Sequence, residues 1–439
     1  MRPRVQTASL GRWVDPAQAY VALCGDSDAA FWLDSGQFAT TGHSYLGLAS
    51  AVTTGFERPV LDWLRAQPAD VDTTDAPAGF TLGLVGWLGY ELRSQTMAVP
   101  VERASRYPLA AFLTVERALA FDHARQEVTL LALDDVQGYR DSVLDALATP
   151  PSFPMAPSLT TTPRPTTAVW AYTDAEYLAM IERCQAAIVE GDAYQLCLTT
   201  EVSVAVSPDP LATYLALRAS SPTHHGALLR AGAVSLLSAS PEQFLAVSPA
   251  GLISTSPIKG TRPRGATAAG DWALREELIT SEKERAENLM IVDLMRNDIA
   301  RISRIGSVSV TSLMTVESYA QVHQLVSTVR GELAEGLTGI DAIGACFPAG
   351  SMTGAPKQSA TEILDRVEHR ARGIYSGAFG YVGLDGAVDL AMVIRSIVID
   401  PDGATIGTGG GITALSVPTE ELAEAKLKAE VLLQVLGAA

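Results

Sequence analysis

A chain of 439 residues with 47% hydrophobic content is long enough to bury a large core. Its formal net charge of −17 excludes a general affinity for nucleic acid or anionic membrane, both of which require a basic face, so an anionic ligand must meet a local group of cations. Cys24, Cys184, Cys197 and Cys346 form no CxxC pair and lack the density of a disulfide scaffold, which points to buried thiols in a reduced, cytoplasmic setting. No signal-like apolar run follows Met1-Arg2-Pro3-Arg4, and no apolar stretch reaches the ~18 residues of a membrane span.

Residues 1–150 alternate apolar and turn-rich segments, with strands predicted over 31–36, 83–89 and 128–133. The nearly uncharged Pro/Ser/Thr-rich stretch 151–170 reads as an extended connector and places a boundary between an N-terminal region, 1–150, and a region 171–439. Thr173 and Glu176 are spaced as a capping box, which predicts a helix running to about Gly191. Strands are predicted over 194–204, 233–239 and 243–247, then one long helix over 272–297 and another over 419–436. Between these helices lie a glycine-rich turn at 347–357, strands over 377–382 and 390–398, and the glycine run 407–411. Helices and strands mixed without a βαβ repeat predict an α/β chain of the α+β kind.

The stretch Ser254-Thr-Ser-Pro-Ile-Lys-Gly-Thr-Arg-Pro-Arg264 sets Lys259 beside Arg262 and Arg264. Neighbouring cations and partial burial would lower its pKa and free the amine as a nucleophile; a solvated surface loop is the alternative. Glu284 with Glu287, and Glu421 with Glu424, are i,i+3 pairs, each on one helical face. Facing one another they require a hard divalent cation, and apart they are solvated acidic surfaces. Arg395 interrupts the apolar segment 390–398, where a guanidinium needs a ligand carboxylate or an internal ion pair unless the position is an edge. Gly409, Gly410 and Gly411 either bring backbone amides to an oxyanion or form only a turn. Gly350 to Lys357 lacks the Gly-Lys-Ser/Thr ending of a phosphate-binding loop, and Cys346 is followed by Phe-Pro, unlike a nucleophile elbow.

Across 171–439 these pieces resemble the chorismate-utilising enzymes, and among them the component I subunits of aminodeoxychorismate synthases. The resemblance is carried by Gly191-Asp192 with Tyr194-Gln195, Ser240-Pro-Glu-Gln-Phe244, Pro257-Ile-Lys-Gly-Thr261, Ala286-Glu-Asn-Leu-Met-Ile-Val-Asp-Leu294, Ser351-Met-Thr-Gly-Ala-Pro-Lys357 and Gly409-Gly-Gly-Ile412. Over 1–150 it rests on 31–36, Ser44-Tyr-Leu-Gly47 and Gly86-Trp-Leu-Gly-Tyr-Glu-Leu92. It implies the anthranilate synthase component I-like fold, a sandwich of two sheets flanked by helices to which both portions of the chain contribute strands.

Aminodeoxychorismate synthases carry lysine, and anthranilate synthases alanine, at the third position of Pro-Ile-x-Gly-Thr, here Lys259. Salicylate and isochorismate synthases carry a water-activating lysine where this chain has Gln195. The resemblance therefore implies conversion of chorismate and ammonia to 4-amino-4-deoxychorismate, toward p-aminobenzoate and folate. Lys259 would be the nucleophile and Glu242 the general acid. Glu287 and Glu424 would bind Mg²⁺ directly, with Glu284 and Glu421 holding its waters. Arg395, Tyr375, Gly409 and Gly411 would bind the substrate carboxylates, with Lys428, Thr261, Ser351 and Gln195 lining the site. Ala423 and Ala425 stand where relatives often have further carboxylates, and His323-Gln324 where many have an active-site histidine in the second place. No glutaminase nucleophile motif occurs in the sequence, which implies a glutamine amidotransferase subunit as partner. The alternatives are an anthranilate synthase component I, against which Lys259 and Gln324 speak, and a non-catalytic chorismate-binding subunit.

Overall fold

The computed structural model describes residues 3–67, 71–77, 79–97, 99–149, 153, 167–319 and 322–438. Two antiparallel sheets carry the architecture, one of twelve strands and one of ten. Both interleave strands from before and after the 151–170 stretch. In the larger sheet Ala29–Asp34 lies between His43–Leu48 and His225–Ala231; in the smaller, Gly83–Leu88 pairs with Ala378–Gly383. Of that stretch, 151, 152 and 154–166 lie outside the described residues, and Ala168–Trp170 pairs with Gln195–Val204.

Alternation along the strands builds the layers. Phe31 and Leu229 join Trp87, Phe379 and Tyr381 in a core drawn from both sheets. Their neighbours Trp32 and Leu228 point the other way, into a core shared with Tyr20, Tyr214 and Leu432 of the covering helices. Each such side chain, fully buried, contributes roughly 1.5–3 kcal/mol. The fold is thus mixed α/β, two sheets face to face with helices outside, as the sequence predicts.

Three elements differ from expectation in ways that shape the site. The helix predicted over 272–297 is two, Ala268–Thr280 and Glu282–Ala300. Ser281, extended at φ −61° and ψ 111°, ends the first and caps the second, its Oγ accepting from Glu284 N–H at 3.4 Å. The segment 390–398 is also two elements: Val388–Met392 belongs to the smaller sheet and Ser396–Asp400 to the larger. Arg395 therefore sits on a crossover between sheets, with φ +51°, and not inside a buried strand. Finally, 407–411 is no turn: it lies in the strand Gly403–Ile412, paired with Gln195–Val204.

Candidate active site

Four elements meet around the crossover: the strands Ile258–Pro263 and Gly403–Ile412 and the N-terminal turns of the helices Glu282–Ala300 and Pro418–Val435. Lys259 stands on the first strand, half-buried. Gly260 follows it at φ +86°, where a Cβ would lie 2.7 Å from Leu278 Cδ1, so glycine lets the helices close over the lysine. Burial opposes the ammonium charge, yet Glu287, Cys197, Glu242 and Glu424 surround it and its pKa is raised. This corrects the sequence expectation of a lowered pKa. The two arginines are spent elsewhere, Arg262 on Glu277 (3.0 Å) and Glu284 (3.3 Å), Arg264 on Asp271 (2.8 Å).

Glu242 lies between the strands Val234–Ser240 and Gln243–Val247, 7% exposed. Burial pushes its pKa up, with Lys259 and Ser351 working against the shift. A carboxyl whose pKa is raised is the kind a general acid requires. Ser351 Oγ is buried and makes no well-formed hydrogen bond among the described residues, although it stands close enough to act on Glu242. Gln195 Oε1 is likewise buried without a partner. A Cβ on Gly411 would stand 2.5 Å from Gln195 Nε2 and 3.4 Å from Glu287 Oε2, which fixes all three around one point.

The acidic pairs converge as far as mutual electrostatic influence, but not as a ready cage. Among the described residues no three His, Cys, Asp or Glu side chains are grouped as metal ligands. Glu284 is bonded to Arg262, Glu421 to Lys283 (2.7 Å) and Ser416 (2.7 Å), and Glu424 to Lys428 (2.8 Å). Glu424 has a lowered pKa: burial raises it, but Lys428, Lys283 and Lys259 together outweigh that. The Glu287 side chain has no hydrogen bond among the described residues, and burial raises its pKa to about 7 despite Lys259 and Lys283. Mg²⁺ takes one or two carboxylates and completes its shell with water and substrate oxygens. An unpartnered Glu287 beside an accessible Glu424, with ammonium groups drawn in around them, fits such an ion.

Arg395 is accessible to solvent, but protein crowds its guanidinium enough that desolvation lowers its pKa, with Tyr375 and Glu424 only partly restoring it. It makes no side-chain hydrogen bond or ion pair among the described residues, so the internal salt bridge is not its role. Tyr375 is 8% exposed and desolvation raises its pKa. Between Ile406 and Ile412 the glycine strand has a ladder partner on one side only, Gln195–Val204, which leaves alternate amides on its other edge. Lys428 donates to the Gly409 carbonyl at 2.9 Å. Thr261 is exposed, opposite Gln324 in the ladder. His323 is turned away, bonded to Asp271 (2.9 Å) and Ser318 (2.8 Å). Ala425 is buried against the strand, its carbonyl accepting from Thr408 Oγ1, so a carboxylate there would have no room.

A buried frame behind the site was not expected from the sequence. Arg372 donates to both Glu368 oxygens (2.7 and 2.9 Å), to Met352 O (2.6 Å) and to Cys197 O (2.9 Å). Glu368 also accepts from Thr199 N–H (2.9 Å), and Glu91 from the amides of Arg372 (2.7 Å) and Gly373 (3.0 Å). This network ties the Gln195 strand, the Ser351 turn and the Tyr375 segment together. A separate surface cavity of about 730 Å³, lined by Pro59, Arg65, Gln95, Arg301 and Gly344 among others, holds none of these groups. Its Arg65 is paired with Asp62 and Asp341.

The chain is 40% identical over 464 residues to an aminodeoxychorismate synthase of Streptomyces pristinaespiralis, covering 96% of this chain. It is 35% identical over 444 residues to an anthranilate synthase component 1 of Streptomyces coelicolor, covering 96% of this chain and 86% of that one. It spans 64% of the length of the first and 65% of a similar synthase from Streptomyces griseus. The crystal structure of anthranilate synthase component I from Streptococcus pneumoniae superposes with a TM-score of 0.76 at 28% identity, over 97% of this chain and 98% of that one. The isochorismate synthase MenF of Escherichia coli, 19% identical with a TM-score of 0.73, shares the fold over 99% of this chain and 94% of its own. Residues 28–434 match the pattern of the chorismate binding enzymes, and the chain belongs to that family.

Proposed function

We propose that this chain is an aminodeoxychorismate synthase component I, acting on chorismate and ammonia in the cytoplasm. The observation that carries the reading is the convergence of Lys259, Glu242, Glu287 and Arg395, none with a well-formed side-chain hydrogen bond or ion pair among the described residues, with the buried Gln195 Oε1 and Ser351 Oγ. Buried polar atoms such as Gln195 Oε1 and Ser351 Oγ are normally satisfied, which supports a ligand at this place. Its content suits a small dicarboxylate with a leaving hydroxyl: a free guanidinium, a carboxyl with a raised pKa, an amine and two carboxylates suited to Mg²⁺.

Arg395, Tyr375 and the open edge of the glycine strand orient the substrate carboxylates. Lys259 Nζ, once deprotonated, forms a bond to ring C2 while the ring double bonds shift and the C4–O bond breaks. Glu242 gives its proton to the departing hydroxyl, which leaves as water. Ammonia then bonds to C4, the double bonds shift back, and Lys259 leaves as the free amine. Mg²⁺ held by Glu287 and Glu424 would compensate the carboxylates that keep Lys259 protonated and stabilise charge on the departing oxygen. Gln195, neutral at the site's edge, has no basicity with which to activate water.

Ammonia is proposed to come from a glutamine amidotransferase partner. Burial raises the thiols of Cys24, Cys184 and Cys346 to about 12 and also raises Cys197, so no cysteine here is poised to open glutamine. The second reading, an anthranilate synthase component I, is favoured by the 35% identity to the Streptomyces coelicolor enzyme. Incubation of the purified chain with chorismate, Mg²⁺ and ammonium, followed by chromatography and mass analysis, separates the two. Aminodeoxychorismate is the expected product; anthranilate with pyruvate would establish the second reading.

A further inference from the structure

The cations of the site are not equivalent. Lys428 stays with its own helix and strand, and Arg262 is shared by Glu277 and Glu284. Lys283 instead crosses from the first turn of Glu282–Ala300 to Glu421 on Pro418–Val435, its Nζ 2.7 Å from Oε1. Ser416 Oγ donates to the same oxygen at 2.7 Å. The carboxylate is 2% exposed, while the lysine side chain is 37% exposed, so the ammonium end meets a buried anion and the stem keeps a way out to solvent. One ammonium thus joins the helix of the first i,i+3 pair to a carboxylate of the second.

We propose that Lys283 is the resident counter-cation of this cluster, and that a divalent cation loads by displacing its ammonium toward solvent. The proposal rests on the metal reading of the glutamates given above. A divalent ion entering while the ammonium remained would meet direct repulsion at short range, and the carboxylates cannot serve both at full strength. The exposed stem makes the exchange feasible, because the displaced ammonium regains its hydration without any helix moving. Lys283 therefore sets the affinity of the empty site for metal.

The test is titration of the metal-free protein with Mn²⁺ in the absence of chorismate, following free Mn²⁺ by electron paramagnetic resonance and competing with Mg²⁺. Lys283→Met keeps the length of the stem and removes the charge, and is expected to bind Mn²⁺ at least about tenfold more tightly than the unaltered chain. Lys283→Arg, which keeps a cation, is expected to bind no more tightly than the unaltered chain. Lys426→Met removes a lysine of the Glu421 helix that pairs with Asp174 instead, and is expected to leave affinity unchanged. Equal or weaker binding by Lys283→Met with an intact circular dichroism spectrum, or equal tightening in Lys426→Met, overturns the proposal and leaves the metal reading standing. Absence of saturable binding in every protein overturns both. Should Lys283→Met not fold, Lys283→Gln serves the same comparison.

Discussion

Replacing Arg395 with glycine should make the protein no less stable and much less active. Arg395 adopts φ +51°, a left-handed conformation that costs a non-glycine residue about 1–2 kcal/mol. Its guanidinium is partly desolvated and gains no hydrogen bond or ion pair among the described residues in return. Glycine relieves the strain but adds about 0.5–1 kcal/mol of chain entropy to the unfolded state. The net is a stability change between about zero and +1.5 kcal/mol, read as the urea midpoint. If the guanidinium grips a substrate carboxylate through charge-assisted hydrogen bonds, its loss removes about 2–4 kcal/mol, or about 30- to 1,000-fold in kcat/KM for chorismate. Destabilisation beyond about 1 kcal/mol would show that the arginine supports the fold, and an unchanged kcat/KM would remove it from the site.

Other perturbations probe the surroundings. Burial raises the Asp389 carboxyl to about 6 despite a hydrogen bond from Gln243 at 3.3 Å. The folded state therefore holds this proton more tightly than the unfolded state, and stability is lost as pH rises from about 4 to about 6. Asp389→Asn should abolish that loss and be more stable than the unaltered chain by about 2–3 kcal/mol at pH ~7.5; urea midpoints that differ equally at pH ~4.5 and ~7.5 would refute this. Glu368→Gln leaves the buried Arg372 without its bidentate partner and should cost about 3–5 kcal/mol in urea unfolding; a cost under about 1 kcal/mol would mean the network is not a frame. Gly411→Ala meets the side-chain end of Gln195 at 2.5 Å and Glu287 Oε2 at 3.4 Å, so stability should stay within about 1 kcal/mol while kcat/KM falls at least about tenfold; full activity would show that crowding Gln195 and Glu287 does not disturb the reaction.

The elements that the sequence made legible were those defined by local chemistry. Thr173 and Glu176 do form the capping box, opening Asp174–Val189; periodicity located Gln195–Val204 and Gln243–Val247, and glycine punctuation located Gly83–Leu88. The break at Ser281 was legible but overlooked: Ser281 with Glu284 three residues on is a cap signal inside a run of strong helix formers. The crossover at Arg395 was not legible. An apolar run looks the same whether it continues one strand or leaves one sheet for another, because the difference lies in partners far away in the chain. The same holds for Lys259, whose charged neighbours in sequence, Arg262 and Arg264, turn to other carboxylates while Glu287 and Glu424 arrive from distant helices. Glu368 and Arg372, spaced i,i+4, read as an ordinary surface pair until their burial of 3% and 2% exposure is seen.

The central claim is that Lys259 becomes covalently joined to the ring. Intact-protein mass spectrometry after incubation with chorismate and Mg²⁺, with ammonia withheld, tests it most directly. The account predicts a species heavier by chorismate less one water, mapping to Lys259 in peptide digests and absent from Lys259→Ala. The same adduct on Lys259→Ala, or full ammonium-dependent turnover by that variant, would contradict it.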